Sequence, residues 1–330
     1  MKYRDFGNLG FKVSSFGMGC MRFPLEKDAN GDSTKIDEDE SIKMIRTAID
    51  KGLNYIDTAY PYHGGKSEEL VGKALKDGYR EKVILTTKCP IWRISSYDEC
   101  EEIFNEQLQR LQVDYVDFYL IHALDRNRWE TVKKFNVLDF FEKKVSEGKI
   151  KYIGFSFHDG IEFFKEIIDS YKWDMCQIQL NIIDENYQAG LEGLKYAASK
   201  NIPVVIMEPL KGGLLANNAP EQIKEMYNSY KEKYTPAHWA FKYIGNYKEV
   251  VTILSGVSNM EQTLDNLEIF DQIEPDSLSD EEKDFLERVK AKYKELVKIG
   301  CTRCGYCMPC PAGVNIPEIF NLYNNAAVFE

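Results

Sequence analysis

A chain of 330 residues with 44% hydrophobic and 29% charged side chains describes a globular protein with a sizeable core and excludes a disordered or fibrous one. The formal net charge of -11 opposes binding to nucleic acid or to an anionic membrane surface. No apolar run approaches the roughly 20 residues of a bilayer-crossing helix, and residues 1–10 lack the apolar core of a secretory signal, so a cytoplasmic protein is expected.

In chain order, residues 2–12 carry Gly7-Asn8-Leu9-Gly10 between two short extended stretches, the pattern of a hairpin that caps the fold. Strand and helix signals then alternate. A strand over 13–19 precedes a helix over 37–51, in which Ile42, Ile45 and Ile49 recur at spacings of three and four. A strand over 54–59 leads to a helix over 67–76, opened by Ser67 with Glu68 and Glu69 in its first turn. Strands over 83–88 and 116–122 are followed by helices over 97–111 and 136–147, the second stopped by Gly148. Strands over 152–157, 175–181 and 203–208 alternate with helices over 160–170 and 191–200. Gly212 and Gly213 open a longer loop, and a helix over 236–244, a strand over 250–256 and a helix over 261–270 complete the alternation.

Eight strands, each followed by a helix, within about 270 residues predict an α/β fold, a closed (β/α)8 TIM barrel with an N-terminal hairpin. A doubly wound sheet is the rival, but it brings a G-x-G-x-x-G turn after its first strand. Here Gly17-Met18-Gly19-Cys20-Met21-Arg22 lacks the third glycine. The expected division is a barrel over 1–272 and a helical, cysteine-rich extension over 273–330.

Four polar residues fall at or just past the carboxyl ends of the second, third and fourth strands: Asp57, Tyr62, Lys88 and His122. That end of a barrel is where chemistry is built. A lysine closing the apolar strand Val83-Ile84-Leu85-Thr86-Thr87 needs a partner, and Asp57 on the adjacent strand is the nearest candidate. A buried ion pair holding the barrel mouth together accounts for these two alone. It leaves Tyr62 and His122 unexplained. As a catalytic set, Lys88 stabilises the Tyr62 phenolate, Asp57 keeps Lys88 charged, and neutral His122 binds a substrate oxygen. A phenol lowered by three units from its usual value near 10 needs about 4 kcal/mol, which one ammonium at about 4 Å supplies at an effective dielectric near 20.

The order and spacing of these four residues resemble the aldo-keto reductases, as do Gly-Asn-Leu-Gly near the start, Leu-Asn-Tyr-Ile-Asp-Thr-Ala, Tyr-Ile-Gly-Phe-Ser, Gln-Ile-Gln-Leu-Asn and Glu-Pro-Leu. The resemblance implies reduction of an aldehyde or ketone by hydride from NADPH or NADH, with Tyr62 as proton donor and a small-molecule carbonyl compound as substrate. It places Gly19, Cys20, Met21 and Asp57 beside the cofactor, Ser156 and Gln177 on the carboxamide, and Met207 against the ring. Leu210 and Gly212 fall in the pyrophosphate loop, and Gly256, Val257, Ser258, Gln262 and Asn266 at the adenosine end. The chain departs from the family in carrying Gly256 and Gln262 where cations often meet a 2′-phosphate, and Phe157 where Asn is frequent. Cofactor preference therefore stays open. Met21, Phe23, Tyr62 and Trp92 are candidates for the pocket lining. His63, His158 and His238 are weaker candidates for chemistry.

Cys301-x2-Cys304-x2-Cys307-x2-Cys310-Pro311 is one residue tighter than the bacterial ferredoxin run and ends in the same Cys-Pro. A [4Fe-4S] cluster is the expected occupant, with four-thiolate zinc as the alternative. The run is similar to the tail of an iron-sulfur branch of the aldo-keto reductases. It adds a second functional reading, an electron-transfer or redox-sensing protein that exchanges electrons between the cluster and a barrel-bound nicotinamide.

Overall fold

The computed structural model describes residues 1–26, 35–301 and 307–329. Strands β1 (Tyr3–Asp5) and β2 (Lys12–Ser14) form the predicted antiparallel hairpin, with Tyr3 opposite Ser14. Its turn places Phe6 and Phe11 under the barrel. Phe6 lies 4.9 Å from Phe118 and Phe11 5.7 Å from Tyr152, centroid to centroid, so aromatic side chains plug the floor. Gly7, at φ +53°, has no room for a side chain because a Cβ would meet Pro203 at 2.5 Å.

The expected strand over 13–19 is broken at Ser15, and its second half is β3 (Phe16–Gly19). The reason is local. The Ser14 hydroxyl donates to the Phe16 carbonyl at 2.7 Å and its amide to the Asn54 side chain, which draws the backbone out of a continuous ladder. The chain continues through α1 (Glu38–Asp50), β4 (Tyr55–Asp57), α2 (Lys66–Ala74), β5 (Ile84–Cys89), α3 (Tyr97–Leu111), β6 (Val116–Leu124), α4 (Arg126–Lys134), α5 (Val137–Ser146) and β7 (Ile150–Phe157). It then runs through α6 (Ile161–Ser170), β8 (Met175–Gln179), α7 (Gly190–Ser199), β9 (Val204–Met207), α8 (Glu221–Ser229), α9 (Pro236–Gly245), β10 (Val250–Gly256), α10 (Met260–Gln272), α11 (Asp280–Leu296) and α12 (Ile316–Phe329).

Strands β3 to β10 close into one parallel barrel, with β10 pairing back onto β3. Both faces of each strand are covered. Tyr55, Phe118, Leu120, Met175 and Val205 fill the interior, while a larger apolar layer separates the strands from the surrounding helices.

Helices α4, α8 and α12 were absent from the sequence-based pattern. Helix α4 buries only Val132, and α8 only Ile223 and Tyr227, too few apolar positions to give a helical period. Helix α11 begins with a capping box formed by Ser279 and Glu282. It packs on the barrel wall through Phe285, which lies 4.4 Å from Tyr230 and 5.1 Å from Trp239. Among the described residues no helix is long and apolar enough to cross a membrane.

Candidate active site

Asp57 closes β4 and Lys88 lies one residue from the end of β5, both on the interior of the barrel mouth. The Lys88 ammonium donates to Asp57 Oδ1 at 2.6 Å, to the Thr58 carbonyl at 2.9 Å and to the Tyr62 hydroxyl at 3.4 Å. Behind the strand, the side chain of Gln107 donates to the Lys88 carbonyl at 3.1 Å and to Glu68 at 2.6 Å, and accepts from Tyr119 at 2.6 Å. This buried polar network fixes the backbone from which Lys88 reaches inward. It left no signature in the sequence, because its members sit on two helices and two strands.

Tyr62 opens a short 3₁₀ turn (Tyr62–Gly65) in which His63, at φ +51°, and Gly64, at φ +63°, reverse the chain. Tyr62 thus faces the barrel, while His63 turns to Phe23, whose amide donates to His63 Nε2 at 3.2 Å. His122 stands between aromatic rings, 6.0 Å from Tyr62 and 5.1 Å from Trp92. The residue after it, Ala123, takes φ +53° and is held by its amide donating to Ser156 Oγ at 2.7 Å and by Arg128 donating to its carbonyl at 2.8 Å. The fourth strand bulges there, which aims His122 inward.

Burial pushes the Asp57 carboxyl up and Lys88 pulls it back. For Lys88, burial opposes the charge, but Asp57 and Tyr62 outweigh it, and its ammonium is held above the usual value. His122 falls well below its ordinary value, first through burial and then through Lys88, so its ring is neutral at pH 7. The Tyr62 phenol contradicts expectation: it is raised rather than lowered. Desolvation outweighs the attraction of Lys88, and the Asp57 carboxylate offsets part of that ammonium's field. The field of one ammonium taken alone contains neither effect.

A cavity of about 640 Å³ opens over these residues, and Asp57, Tyr62, Lys88 and His122 all line it. So do Gly19 and Met21 at one wall, Ser156, Gln177 and Met207 across the floor, and Leu210 and Gly212 on the long loop. Gly256, Val257, Ser258, Gln262 and Asn266 line the far end. There Gln262 already accepts from the Ser258 amide at 2.9 Å, and Asn266 donates to Ser255 Oγ at 3.0 Å, which ties α10 to the end of β10.

Cys20, between Gly19 and Met21, does not line the cavity. Its side chain is buried outside the cavity, its thiol faces the Met18 carbonyl, and its own amide and carbonyl are taken by Asp57 and Ser67. Phe23 is buried against His63, and Phe157 packs against Phe163 and Phe164. Trp92 is half exposed beside His122, His158 reaches the cavity wall, and His238 stacks on Tyr234 away from it. Arg22 and Glu208, which the sequence reading did not single out, also line the cavity.

Among the described residues no group of three or more histidines, cysteines or carboxylates is placed to hold a metal. Cys301, Cys307 and Cys310 are described and do not converge, while Cys304 lies outside the described residues.

Fold and cavity together define a (β/α)8 enzyme whose chemistry lies at the C-terminal mouth of the barrel. The model of the aldo/keto reductase family matches residues 15–284, and the chain belongs to that family of oxidoreductases. L-galactose dehydrogenase of Arabidopsis thaliana is 27% identical over 316 residues, covering 90% of this chain and 96% of that protein. The NADH-specific methylglyoxal reductase of Escherichia coli is 30% identical over 237 residues, covering 65% of this chain and 69% of that one. An aldo/keto reductase of Klebsiella pneumoniae, solved in complex with NADP and acetate, superposes with a TM-score of 0.68 at 26% identity, over 88% of this chain and 95% of that one.

Proposed function

We propose that the protein reduces an aldehyde or ketone to an alcohol, with a nicotinamide nucleotide as hydride source and Tyr62 as proton donor. The observation that carries this reading is the Lys88 ammonium lodged between the Asp57 carboxylate and the Tyr62 hydroxyl at 2.6 and 3.4 Å. A structural ion pair needs no phenol in contact with it.

The residues present fit the nucleotide. Among the described residues buried Gln177 Oε1 meets no partner, and it lies on the cavity floor beside Ser156, its register neighbour, where a carboxamide would bond. Met207 offers an apolar seat for the ring. Leu210 and Gly212 would hold the pyrophosphate, and Gly256, Val257, Ser258, Gln262 and Asn266 the adenosine. When bound, the reduced nicotinamide supplies the hydride.

The chain's own groups do the rest. Tyr62 and the neutral His122 ring hydrogen-bond the substrate carbonyl oxygen and stabilise the charge that develops there. The Tyr62 proton passes to that oxygen, and Lys88 stabilises the phenolate left behind. A raised phenol serves this direction well: it stays protonated at neutral pH, and an alkoxide is a far stronger base than a phenolate, so the transfer runs downhill.

Neither Gly256 nor Gln262 provides a cation for a 2′-phosphate, and the two named relatives differ, one being NADH-specific and the other a complex with NADP. The reading therefore takes NADPH or NADH, and comparing the KM for each decides between them.

The division into a barrel over 1–272 and an extension over 273–330 belongs to this proposal, with α11 as a buttress on the barrel. For the tail, the cysteine spacing alone supports a [4Fe-4S] cluster, with zinc as the alternative, and an electron-transfer partner would go with the cluster. Iron and zinc analysis of anaerobically purified protein tests that part.

The test of the main reading is steady-state reduction of a simple aldehyde. Tyr62→Phe should lower kcat by about 10² to 10⁴ with nucleotide affinity kept; unchanged turnover would sink the assignment of the donor.

A further inference from the structure

Glu68 is a carboxylate with no exposed surface that the tetrad does not use. It stands in the first turn of α2, directly after the 3₁₀ turn that carries Tyr62. Its Oε1 accepts from Thr87 Oγ1 at 2.7 Å and from Gln107 at 2.6 Å, so it is bound to the end of β5 that presents Lys88. Its Oε2 accepts from Nη1 of Arg110, on α3, at 3.3 Å. The Arg110 guanidinium in turn meets the segment around the phenol at two places. It lies 4.3 Å over the ring of Tyr60, and a Cβ on Gly65 would meet its Nη1 at 3.3 Å and its Cζ and Nη2 at 3.5 Å. Such nearly equal distances set the flat face of the guanidinium against Gly65, which takes φ +92° and closes the turn. Arg110 also donates to Glu106, which accepts from the Tyr60 hydroxyl at 2.9 Å, and Arg93 donates to that hydroxyl at 2.8 Å.

We propose that Arg110 and Glu68 are positioning residues: together they clasp the Tyr60 to Gly65 segment to β5 and so fix the contact between the Tyr62 hydroxyl and the Lys88 ammonium. The inference rests on the reading of Tyr62 as proton donor. An ion pair that only joins α2 to α3 needs neither the bare Gly65 nor the stacked Tyr60. Here one carboxylate holds the residue before Lys88, one guanidinium holds the chain on both sides of Tyr62, and the two are bonded to each other. The contact they set, 3.4 Å from Lys88 Nζ to the Tyr62 oxygen, is at the long end for a hydrogen bond, so a small slip of the turn breaks it. A misplacement of about 1 Å can cost about 10²-fold in rate. The planar guanidinium is required, because a lysine ammonium can pair with Glu68 but cannot lie across Gly65 and Tyr60 at once.

The test is single-turnover reduction of a simple aldehyde by the full-length protein loaded with NADPH or NADH, with nucleotide affinity read separately by quenching of tryptophan fluorescence. Arg110→Lys, which leaves Glu68 with a cationic partner, should slow reduction by about tenfold or more at unchanged nucleotide affinity. Glu68→Gln, which keeps the shape and removes the buried charge, should do the same. In both variants the rise of alcohol oxidation with pH should move to higher pH, because the phenolate loses contact with the ammonium. A role confined to stability moves neither readout. In the Tyr62→Phe background Arg110→Lys should add no further loss. Native rates and an unmoved pH profile in both variants would overturn the inference while leaving Tyr62 as donor. An equal loss in the Tyr62→Phe background would also overturn it, since the effect then bypasses the phenol. Unchanged turnover of Tyr62→Phe itself would overturn both readings together.

Discussion

Lys88 Nζ lies 2.6 Å from Asp57 Oδ1 with both side chains almost wholly buried, at 1% and 3% exposure. Removing one partner strands the other charge in a site with little water. Lys88→Met should cost about 3 to 5 kcal/mol in urea unfolding, and the double variant Asp57→Leu with Lys88→Met should recover much of that loss. A single variant no less stable than the double would show that the pair is not ionised.

With Tyr62 as the proposed proton donor, its raised phenol sets the pH dependence of turnover. The proton donor is present throughout neutral pH, so kcat for reduction should be flat from about pH 6 to 9 and decline only above about 10. Alcohol oxidation needs the deprotonated phenol and should rise across the same interval. A decline in reduction centred near pH 7, measured at saturating nucleotide, would mean that Lys88 does lower the phenol.

All four histidines are shifted downward and make the fold acid-sensitive, His122 and His238 most. His122 is held well below its ordinary value, and burial with Lys242 lowers His238 to about 4. In each case the folded state prefers the neutral ring, so the unfolded chain binds more protons below about pH 6.5. This stabilisation is complete above that pH and is lost as pH falls toward the folded values. Urea midpoints should drop between pH 7 and 5, and His238→Phe should reduce the slope; an unchanged slope would place the acid sensitivity elsewhere.

Phe285 is one of the points at which α11 holds the rest of the chain, beside the ion pairs of Glu282 with Lys242 and of Lys290 with Glu185. It is 3% exposed and contacts the rings of Tyr227, Tyr230 and Trp239. Phe285→Ala should cost about 3 to 5 kcal/mol, whereas Leu322→Ala on the exposed face of α12, at 56% exposure, should change stability by less than about 0.5 kcal/mol. Thermal and urea unfolding of both variants would decide whether α11 is a structural part of the barrel or a detachable appendage.

The barrel was legible before folding because each parallel strand is buried on both faces and so appears as a short apolar run between helical periods. Helices α4 and α8 were not legible, since each rests on one or two buried residues and a period needs more. The break at Ser15 comes from a hydroxyl bonding to its own backbone, which no hydrophobic pattern records.

The amino-acid order by itself determined the strand count, the closure of the barrel and the position of Asp57, Tyr62, Lys88 and His122 at strand ends, because these follow from local period and spacing. Three matters were decided only by the tertiary structure. Desolvation, a property of everything packed around Tyr62, raised the phenol that a pairwise view had lowered. The Gln107 and Glu68 network behind Lys88 assembles from separate elements. Arg22 crosses Gly256 only because β10 closes back on β3, which brings the two ends of the barrel sequence side by side.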